Sequence, residues 1–549
     1  MEGRLREGGV TILLEDRNLF SGKYPNRTLF LISKYMNSKK NGTIIILVLV
    51  FGTIFSILLA GFSGFILLQL KHSKEKVAWY QALIVAEGGV NYYRWHLAHA
   101  PEDLQDGNDW CCNEDPSLSL EDCGNVCGPY IHSYYDPEGG EIGKFSLQIY
   151  GKKQCGEITS ISIVSVGWSN DFPNVKRKVK VKYVKPTVAD FAYLLNSNVW
   201  AGSDRVIKGP YHSNGGIRMD GKNKSLVSSA LSDWTCTCSF GCKAPSCLEN
   251  SCPDVCVWDG SSCKCPGIFT TANGNEELFD FPVPPFDFMG ITMDLNHIKN
   301  LTQSGKGIYL SPSSTGKGYH IILKQDRSID VYEVTNLSSV CAYDTENGYH
   351  CESSVISGEN FKGNYPIPSD CGLIFTEDNV WAEGEVNGKI ALVSADLINP
   401  NKETDVWLVG NITYIHDDNS DGLVLLAQHN NLIGLYVPDN MELDGIYIAQ
   451  TGHFGRNHYP CWPWWWGGSC ASCSSCSSER YRSYLKIFGS IVSNGRVGTK
   501  WSSSSGTWVS GFNTRENIYD PFQSYNPPPF LPCISEQHLF REWEEVTEK

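Results

Sequence analysis

The chain has 549 residues, 41% of them hydrophobic, which is ample for a large core. Its net charge of −15, with no basic cluster after the N-terminal region except KRKVKVKYVK at Lys176–Lys185, argues against nucleic acid as a partner. All 21 cysteines fall between Cys111 and Cys533; cysteine this dense and clustered belongs to an oxidising compartment, not a reducing cytosol.

Residues 1–38 carry no periodicity and no motif, and are read as a cytoplasmic tail. Met36 opens MNSKKNG, a short basic head directly before an apolar run, and competes with Met1 as the start of the protein. From Thr43 to Leu70 no residue is charged. That run of about 28 residues exceeds the roughly 20 that a helix needs to cross the hydrocarbon core, and it is about twice a secretory h-region. A retained single span in the lipid bilayer is predicted. No proline lies between Thr43 and Pro101, so the helix is expected to continue through residues 39–106, on the order of 85 Å at 1.5 Å per residue for Thr43 to Ala100, half in lipid and half beyond it. The Gly88-Gly89 pair predicts a kink. Arg4, Arg6, Arg17, Lys23, Arg27, Lys34, Lys39 and Lys40 precede the span, against Lys71, Lys74 and Lys76 after it. This excess predicts a cytoplasmic N-terminus and a large extracytoplasmic ectodomain. Gly52, Ser56, Ala60 and Gly64 follow one another at intervals of four, a small-residue stripe on one helix face.

A basic pair (Lys39, Lys40), Gly42, the apolar helix and then an ALxxAExG motif (Ala82, Leu83, Ala86, Glu87 and Gly89) resemble the N-terminal region of PilX-type pilus assembly proteins of type IV pilus systems. The downstream NYYRWHLAH resembles large bacterial surface proteins with the same beginning. The resemblance implies a pilin-like anchor, partnership with other pilin-like subunits, a role in fibre assembly or adhesion to a surface glycan or protein, and prepilin-type processing at Gly42-Thr43. One departure stands out: the fifth residue after Gly42 is Leu47, where prepilins carry glutamate, and no acid appears before Glu75.

Beyond the helix the chain reads as mainly β. Residues 107–190 form a small β module in which FSLQIY, ITSISIVSVGW and VKRKVKVKYV alternate as strands do. The alternating basic residues of the last predict an edge strand kept from further pairing by its charge. Residues 191–515 break into short apolar pieces separated by Gly, Asn and Asp, without intervening helical patterns. The segment Gly209-PYH-Ser213-Asn214-Gly215 is echoed by Gly489-SIV-Ser493-Asn494-Gly495, which implies equivalent corners in a stacked array. A parallel β-solenoid is predicted, with a β-sandwich as the alternative.

Two cysteine-rich insertions interrupt this region. Residues 234–265 hold Cys236, Cys238, Cys242, Cys247, Cys252, Cys256, Cys263 and Cys265, a disulfide-stapled knob too small for a core of its own; eight cysteines allow 105 pairings, so none is assigned. Residues 461–476 hold Cys461, Cys470, Cys473 and Cys476 with Trp462, Trp464, Trp465 and Trp466. The Cys-x2-Cys spacing fits a metal, but disulfides are preferred outside the cell. The tryptophans either pack inward or form a contact patch. After a proline-rich link at 279–289, LNHIKNL reads as a short helix, and residues 516–549 read as a proline-rich segment and an acidic helix.

No G-x-S-x-G, H-E-x-x-H, Walker A or dinucleotide fingerprint is present, so neither catalysis nor a cofactor is predicted. The acidic run Asp417–Gly422 could bind calcium but reads first as a solvated turn. A carbohydrate-active reading would cast Asp204, Arg205, Arg218 and Asp220 as its groups, on fold analogy alone.

Overall fold

The computed structural model describes residues 41–101, 103–108, 126–242, 252–288, 294–399, 402–460, 478–503, 506–535 and 537–547. The chain divides into two compact units, residues 1–73 and 74–549. Helix α1 (Asn41–His99) carries the chain from the first into the second. In the first unit α1 is apolar on every side, with Leu47, Phe51, Phe55, Leu58 and Phe62 exposed. Its length and composition make it a candidate membrane span. Its hydroxyls turn back onto the helix. Thr53 Oγ1 donates to the Val50 carbonyl at 2.9 Å and Ser56 Oγ to the Gly52 carbonyl at 2.7 Å, satisfying groups that hydrocarbon could not.

In the second unit, Ala78, Ala82, Val85, Ala86, Val90, Tyr93 and Leu97 recur at helical spacing and are buried. They lie on an antiparallel sheet ordered β1 (Val126–Tyr135), β2 (Glu141–Gln154), β3 (Glu157–Ser169), β4 (Lys176–Val184) and the C-terminal strand Leu539–Glu545. Phe145, Leu147, Ile149, Ile163, Val179, Val181 and Tyr183 alternate onto the helix side and complete this core.

Two expectations are corrected here, the edge strand and the acidic helix, and the glycine pair of α1 has a role of its own. Helix α1 continues without a break through Gly88 and Gly89. Those glycines serve close approach instead: a Cβ at Gly88 would overlap the Tyr134 ring, and one at Gly89 the Ser165 hydroxyl and the Phe145 ring. The basic strand β4 is no edge. It pairs β3 on one side (Ile163↔Val181, Ile161↔Tyr183) and the C-terminal strand on the other (Glu542↔Lys182, Glu544↔Lys180). The acidic tail read as a helix is that strand, with Lys180 Nζ 3.1 Å from Glu544, Arg177 paired with Glu545, and Arg541 2.6 Å from Asp190. Opposite charge placed across neighbouring strands favours this register.

Everything between β4 and the C-terminal strand is therefore an insertion, and it is a parallel strand stack. One ladder pairs Ile308–Leu310 with Leu373–Thr376, then Lys389–Ser394, Gly422–Ala427 and the ends of Asn440–Ala449 and Tyr481–Ser493. It continues into Tyr193–Leu195, Tyr211–Ser213 and Val227–Ser229. Parallel pairing of successive coils matches the solenoid expectation; a sandwich would pair its strands antiparallel. The order is permuted: the first strands after β4 dock on late parts of the chain, Tyr193–Leu195 on Tyr481–Ser493 through Ile491↔Tyr193 and Ser493↔Leu195, and Val206–Lys208 on Trp508–Ile518 through Asn517↔Ile207. The repeated Ser-Asn-Gly segments are equivalent corners. Asn196 Nδ2 donates to Asn494 Oδ1 at 2.8 Å, and Asn214 Nδ2 to Asn196 Oδ1 at 2.8 Å, forming one asparagine ladder.

The inner face of this ladder carries Ile374, Leu392, Leu425, Tyr447 and Ile491. Its outer face is buried as well, under helix α2 (Leu295–Gln303), Phe286, Phe530 and Leu531. Burial on both faces explains the unbroken apolar runs IALVS and LVLLA. A long antiparallel hairpin, Ser328–Asp344 with Gly348–Pro366, extends a second ladder and covers Trp381, Trp407 and Leu432. The alternation of SIDVYEVT ahead of a Glu-Asn-Gly turn was its sequence signal.

At the helix–sheet seam an added group is not tolerated at Gly167 on β3, where a Cβ would overlap the Ala86 nitrogen and the Ala82 carbonyl. Gly167→Val is expected to cost about 1–3 kcal/mol as overpacking and to open the helix–sheet seam to protease. Thermal unfolding of the full chain with limited proteolysis checks this; unchanged cleavage and midpoint would contradict the packing.

Candidate functional site: the helix seat and the inserted stack

The ALxxAExG residues have distinct places. Ala82, Ala86 and Gly89 are buried against the sheet, Leu83 packs at its margin, and Glu87 is half-buried. Small residues are needed there because the backbones of α1 and β3 nearly touch. Below them, Arg177 of β4 lies 3.4 Å from the Trp79 ring centroid; above, Tyr183 OH donates to the Val90 carbonyl at 2.7 Å. Gly42 and Thr43 lie in the first turn of α1, while Lys39 and Lys40 lie outside the described residues. At the C-terminal end of α1, His132 Nε2 meets the buried Asp106 carboxylate at 2.5 Å. Burial, and then the charge of Asp106, push the neighbouring Tyr92 hydroxyl up to about 12.

The stack is joined to this module covalently and by polar ties. Cys155, in the β2–β3 turn, is disulfide-bonded to Cys371. Lys152 binds Asn526. Within the inserted region, Lys389 Nζ donates to the Asp421 carbonyl and to Gln523 Oε1 at 2.8 and 2.9 Å, and burial pushes its ammonium down to about 8.

The knob holds the disulfides Cys236–Cys242, Cys252–Cys263 and Cys256–Cys265 around a three-stranded antiparallel sheet with Trp234 at its centre. Cys238 is disulfide-bonded too, and Cys247 lies outside the described residues. The sulfurs of Cys236, Cys242 and Cys265 fall within 4.8 Å of one another, a ligand-like spacing, but each is already bonded to another cysteine. Cys461, Cys470, Cys473, Cys476 and the four tryptophans of that insertion lie outside the described residues.

The groups considered for calcium or sugar chemistry are held by the protein. Asp421 is buried and accepts from the backbone N–H groups of Gly388, Ile415 and His416. Asp204 accepts from Lys500 and Arg515, each at 2.9 Å. Asp220 accepts from Trp200 and Arg218, whose guanidinium reaches on to the Phe240 carbonyl and anchors the knob. Arg205 is buried on Tyr193 and Asn517. These are separate ion clusters; the fold does not gather the four into one site.

A cluster that the sequence did not suggest sits at the root of the long hairpin. His320 Nδ1 is 2.9 Å from Glu359 and Nε2 is 3.1 Å from Glu383, so one imidazole bridges three strands. A histidine inside IILK-type alternation carries no signal until its non-local neighbours are known.

No family model matches the chain, and no curated protein matches it. Among solved structures, the competence-associated pilin ComZ from Thermus thermophilus aligns at 14% identity with a TM-score of 0.29, covering 85% of this chain and 98% of that one.

Peptide mapping under non-reducing conditions is expected to recover Cys155–Cys371, Cys236–Cys242, Cys252–Cys263 and Cys256–Cys265 as linked pairs; free thiols holding a stoichiometric metal would contradict the arrangement. For His320, burial acts to lower the pKa, and the bonds and charges of Glu383 and Glu359 outweigh it, so the net shift is upward. A raised folded value means that the stabilisation is complete below the unfolded value of about 6.5 and lost as pH rises through the folded one. Protection factors at 328–334 and 359–366, with the base-catalysed intrinsic exchange rate divided out, should therefore be higher at acidic than at alkaline pH, and His320→Gln should flatten that dependence.

Proposed function

We propose that the chain is a non-catalytic, membrane-anchored surface protein of a type IV pilus-like system, resembling PilX-type assembly proteins and contributing to fibre assembly or adhesion. One observation carries the reading: the second half of a single long helix is seated on a sheet that the far end of the chain closes, and the stack is inserted between the last two strands. β4 begins beside Trp79 and ends beside Val90, so the chain enters the stack at the level of the later helical turns. The stack is then the displayed part, and the apolar segment the anchoring and assembling part. The extracytoplasmic side of the stack agrees with the disulfides and with the flanking charges. The bilayer, other pilin-like subunits and a surface glycan or protein are the partners. The internal engagement of Asp204, Arg218, Asp220 and Asp421 supports a non-catalytic role over a carbohydrate-active one.

The assembly reading is tested on the small-residue face of α1. A Cβ at Gly52 or Gly64 meets nothing within 4 Å, so Gly52→Leu and Gly64→Leu should leave membrane insertion intact. If neighbouring helices pack there, the leucine variants should lose crosslinking to co-expressed pilin-like subunits, while the alanine variants retain it. Full crosslinking in the leucine variants would leave the helix an anchor only and favour a free-standing adhesin.

A further inference from the structure

The turn of the long hairpin, residues 344–348, meets the stack through a set of like charges. Asp344 and Glu346 come from the hairpin, and Glu403 and Asp405 from the segment that leads into strand Val406–Tyr414. Among the described residues, every ion pair that these four carboxylates make is with a histidine. His429 Nδ1 lies 3.0 Å from Asp405, with the Asn430 side-chain amide beside it at 2.7 Å. His429 Nε2 lies 3.8 Å from Glu346 and 3.9 Å from Glu403. His350 Nδ1, on the hairpin, lies 3.7 Å from Asp344. The basic residues of the adjoining segments are turned elsewhere, Lys402 to Asp378 and Asp396 and Arg496 to the Ser239 carbonyl. His453 completes the cluster. Its backbone N–H donates to Asn430 Oδ1 at 2.8 Å, and burial pushes its imidazole down, which favours the neutral ring.

His429 is therefore the group on the stack side, among the described residues, that can place a positive charge between Glu346 and the carboxylates of the stack. Its surroundings are fixed: Asp405 Oδ1 also accepts from the Asn430 N–H, and Glu403 Oε1 from the Thr451 hydroxyl, each at 3.0 Å. With a neutral ring, Glu346 faces Glu403 and Asp405 with no counter-charge between them, and like charges at this range repel. The body of the hairpin is held by other means. Tyr343 exchanges backbone hydrogen bonds with His458 at 2.8 and 2.9 Å, and the buried Glu352 accepts from Asn457 and Tyr459. We propose that this joint is a proton-operated latch: with His429 charged the hairpin turn is held on the stack, and with His429 neutral the turn lifts while the body of the hairpin stays paired. The hydrogen bond to Asp405 raises the His429 pKa, burial opposes it, and the charges of Asp405, Glu403 and Glu346 add to the rise. A raised folded value gives stabilisation that is complete below the unfolded value of about 6.5 and lost as pH rises through the folded one. The latch closes in mildly acidic surroundings and opens in alkaline ones, whether or not the chain assembles into a fibre.

The test is hydrogen–deuterium exchange on the full chain in nanodiscs between about pH 6 and 9, above the usual carboxylate range. The latch is read as protection at 344–348, with the base-catalysed intrinsic rate divided out. Protection there should be about two- to fivefold higher at the acidic end, the size of a few weak ion pairs, while protection at 351–356 stays constant. His429→Gln should remove the dependence and leave the turn at its alkaline level. His429→Lys keeps a positive charge across the range and should hold the turn at its acidic level throughout, which a merely structural role of the ring would not produce. Protection independent of pH in the unaltered chain, a dependence that survives in His429→Gln, or a turn no better protected in His429→Lys than in His429→Gln would overturn the latch. So would a dependence that EDTA abolishes, since a metal ion and not a proton would then bridge the carboxylates.

Discussion

The whole arrangement depends on one non-local pairing: the basic strand β4 against the acidic strand Leu539–Glu545. The residues joined are more than 350 positions apart, as in Lys180 with Glu544. The Lys180–Glu544 pair is exposed, and such pairs contribute about 0–1 kcal/mol each, whereas Arg177 is buried beside Glu545. Their main effect is on register, since a one-residue slip would turn Glu542 and Glu544 away from Lys182 and Lys180. The stability comes from the backbone ladder and from the apolar side beneath it, where Phe540 packs on the Tyr183 ring at 4.6 Å.

That closure constrains the insertion. Because the chain leaves and re-enters the sheet at adjacent strands, the stack has to begin and end at one place. The entry and exit segments are hydrogen-bonded to each other: Val188 donates to the Pro532 carbonyl at 3.1 Å and Ile534 to the Pro186 carbonyl at 2.9 Å. A stack built in simple sequence order would put its first and last coils at opposite ends. The permuted order solves this by docking Tyr193–Leu195 directly on Ile491–Ser493. The asparagine ladder crosses the same junction, Asn494 to Asn196 to Asn214, so corner geometry is continuous where the chain is not.

Much of this was legible in the sequence wherever the signal was local. The apolar run, the strands of β2, β3 and β4, and the corner motif at Ser213-Asn214-Gly215 and Ser493-Asn494-Gly495 each announce themselves by period or repetition. What failed was local too. LFREWEE has the composition of a good helix, and only its distant basic partner makes it a strand. Gly88 and Gly89 resemble a helix break until Tyr134, Ser165 and Phe145 are brought against them. The ALxxAExG motif, read as a family mark, is physically a set of small residues that lets β3 approach α1. The four groups Asp204, Arg205, Arg218 and Asp220 lie close in sequence, yet only Arg218 and Asp220 pair with each other, while Asp204 turns to Lys500 and Arg515 and Arg205 to Tyr193 and Asn517.

The same geometry bears on how a displayed stack would transmit load. Among the described residues, a pull on the stack reaches α1 mainly through β4, the C-terminal strand and the Cys155–Cys371 bond. The two strands enter the sheet side by side and antiparallel, so force drawn along both shears their ladders, loading many hydrogen bonds together instead of one at a time. The disulfide spans 216 residues of sequence, but the stack and the sheet already hold its ends together. Its loop-closure contribution is correspondingly smaller than that separation alone would suggest. Its place at the β2–β3 turn matters more. It ties the β2–β3 turn, at the end of the sheet where β4 leaves, to the coil at Leu373–Thr376, a third attachment beside β4 and the C-terminal strand. A stack fixed at these three points conveys displacement of its outer part to the sheet, and through β3 to the helix seat at Ala82, Ala86 and Gly89.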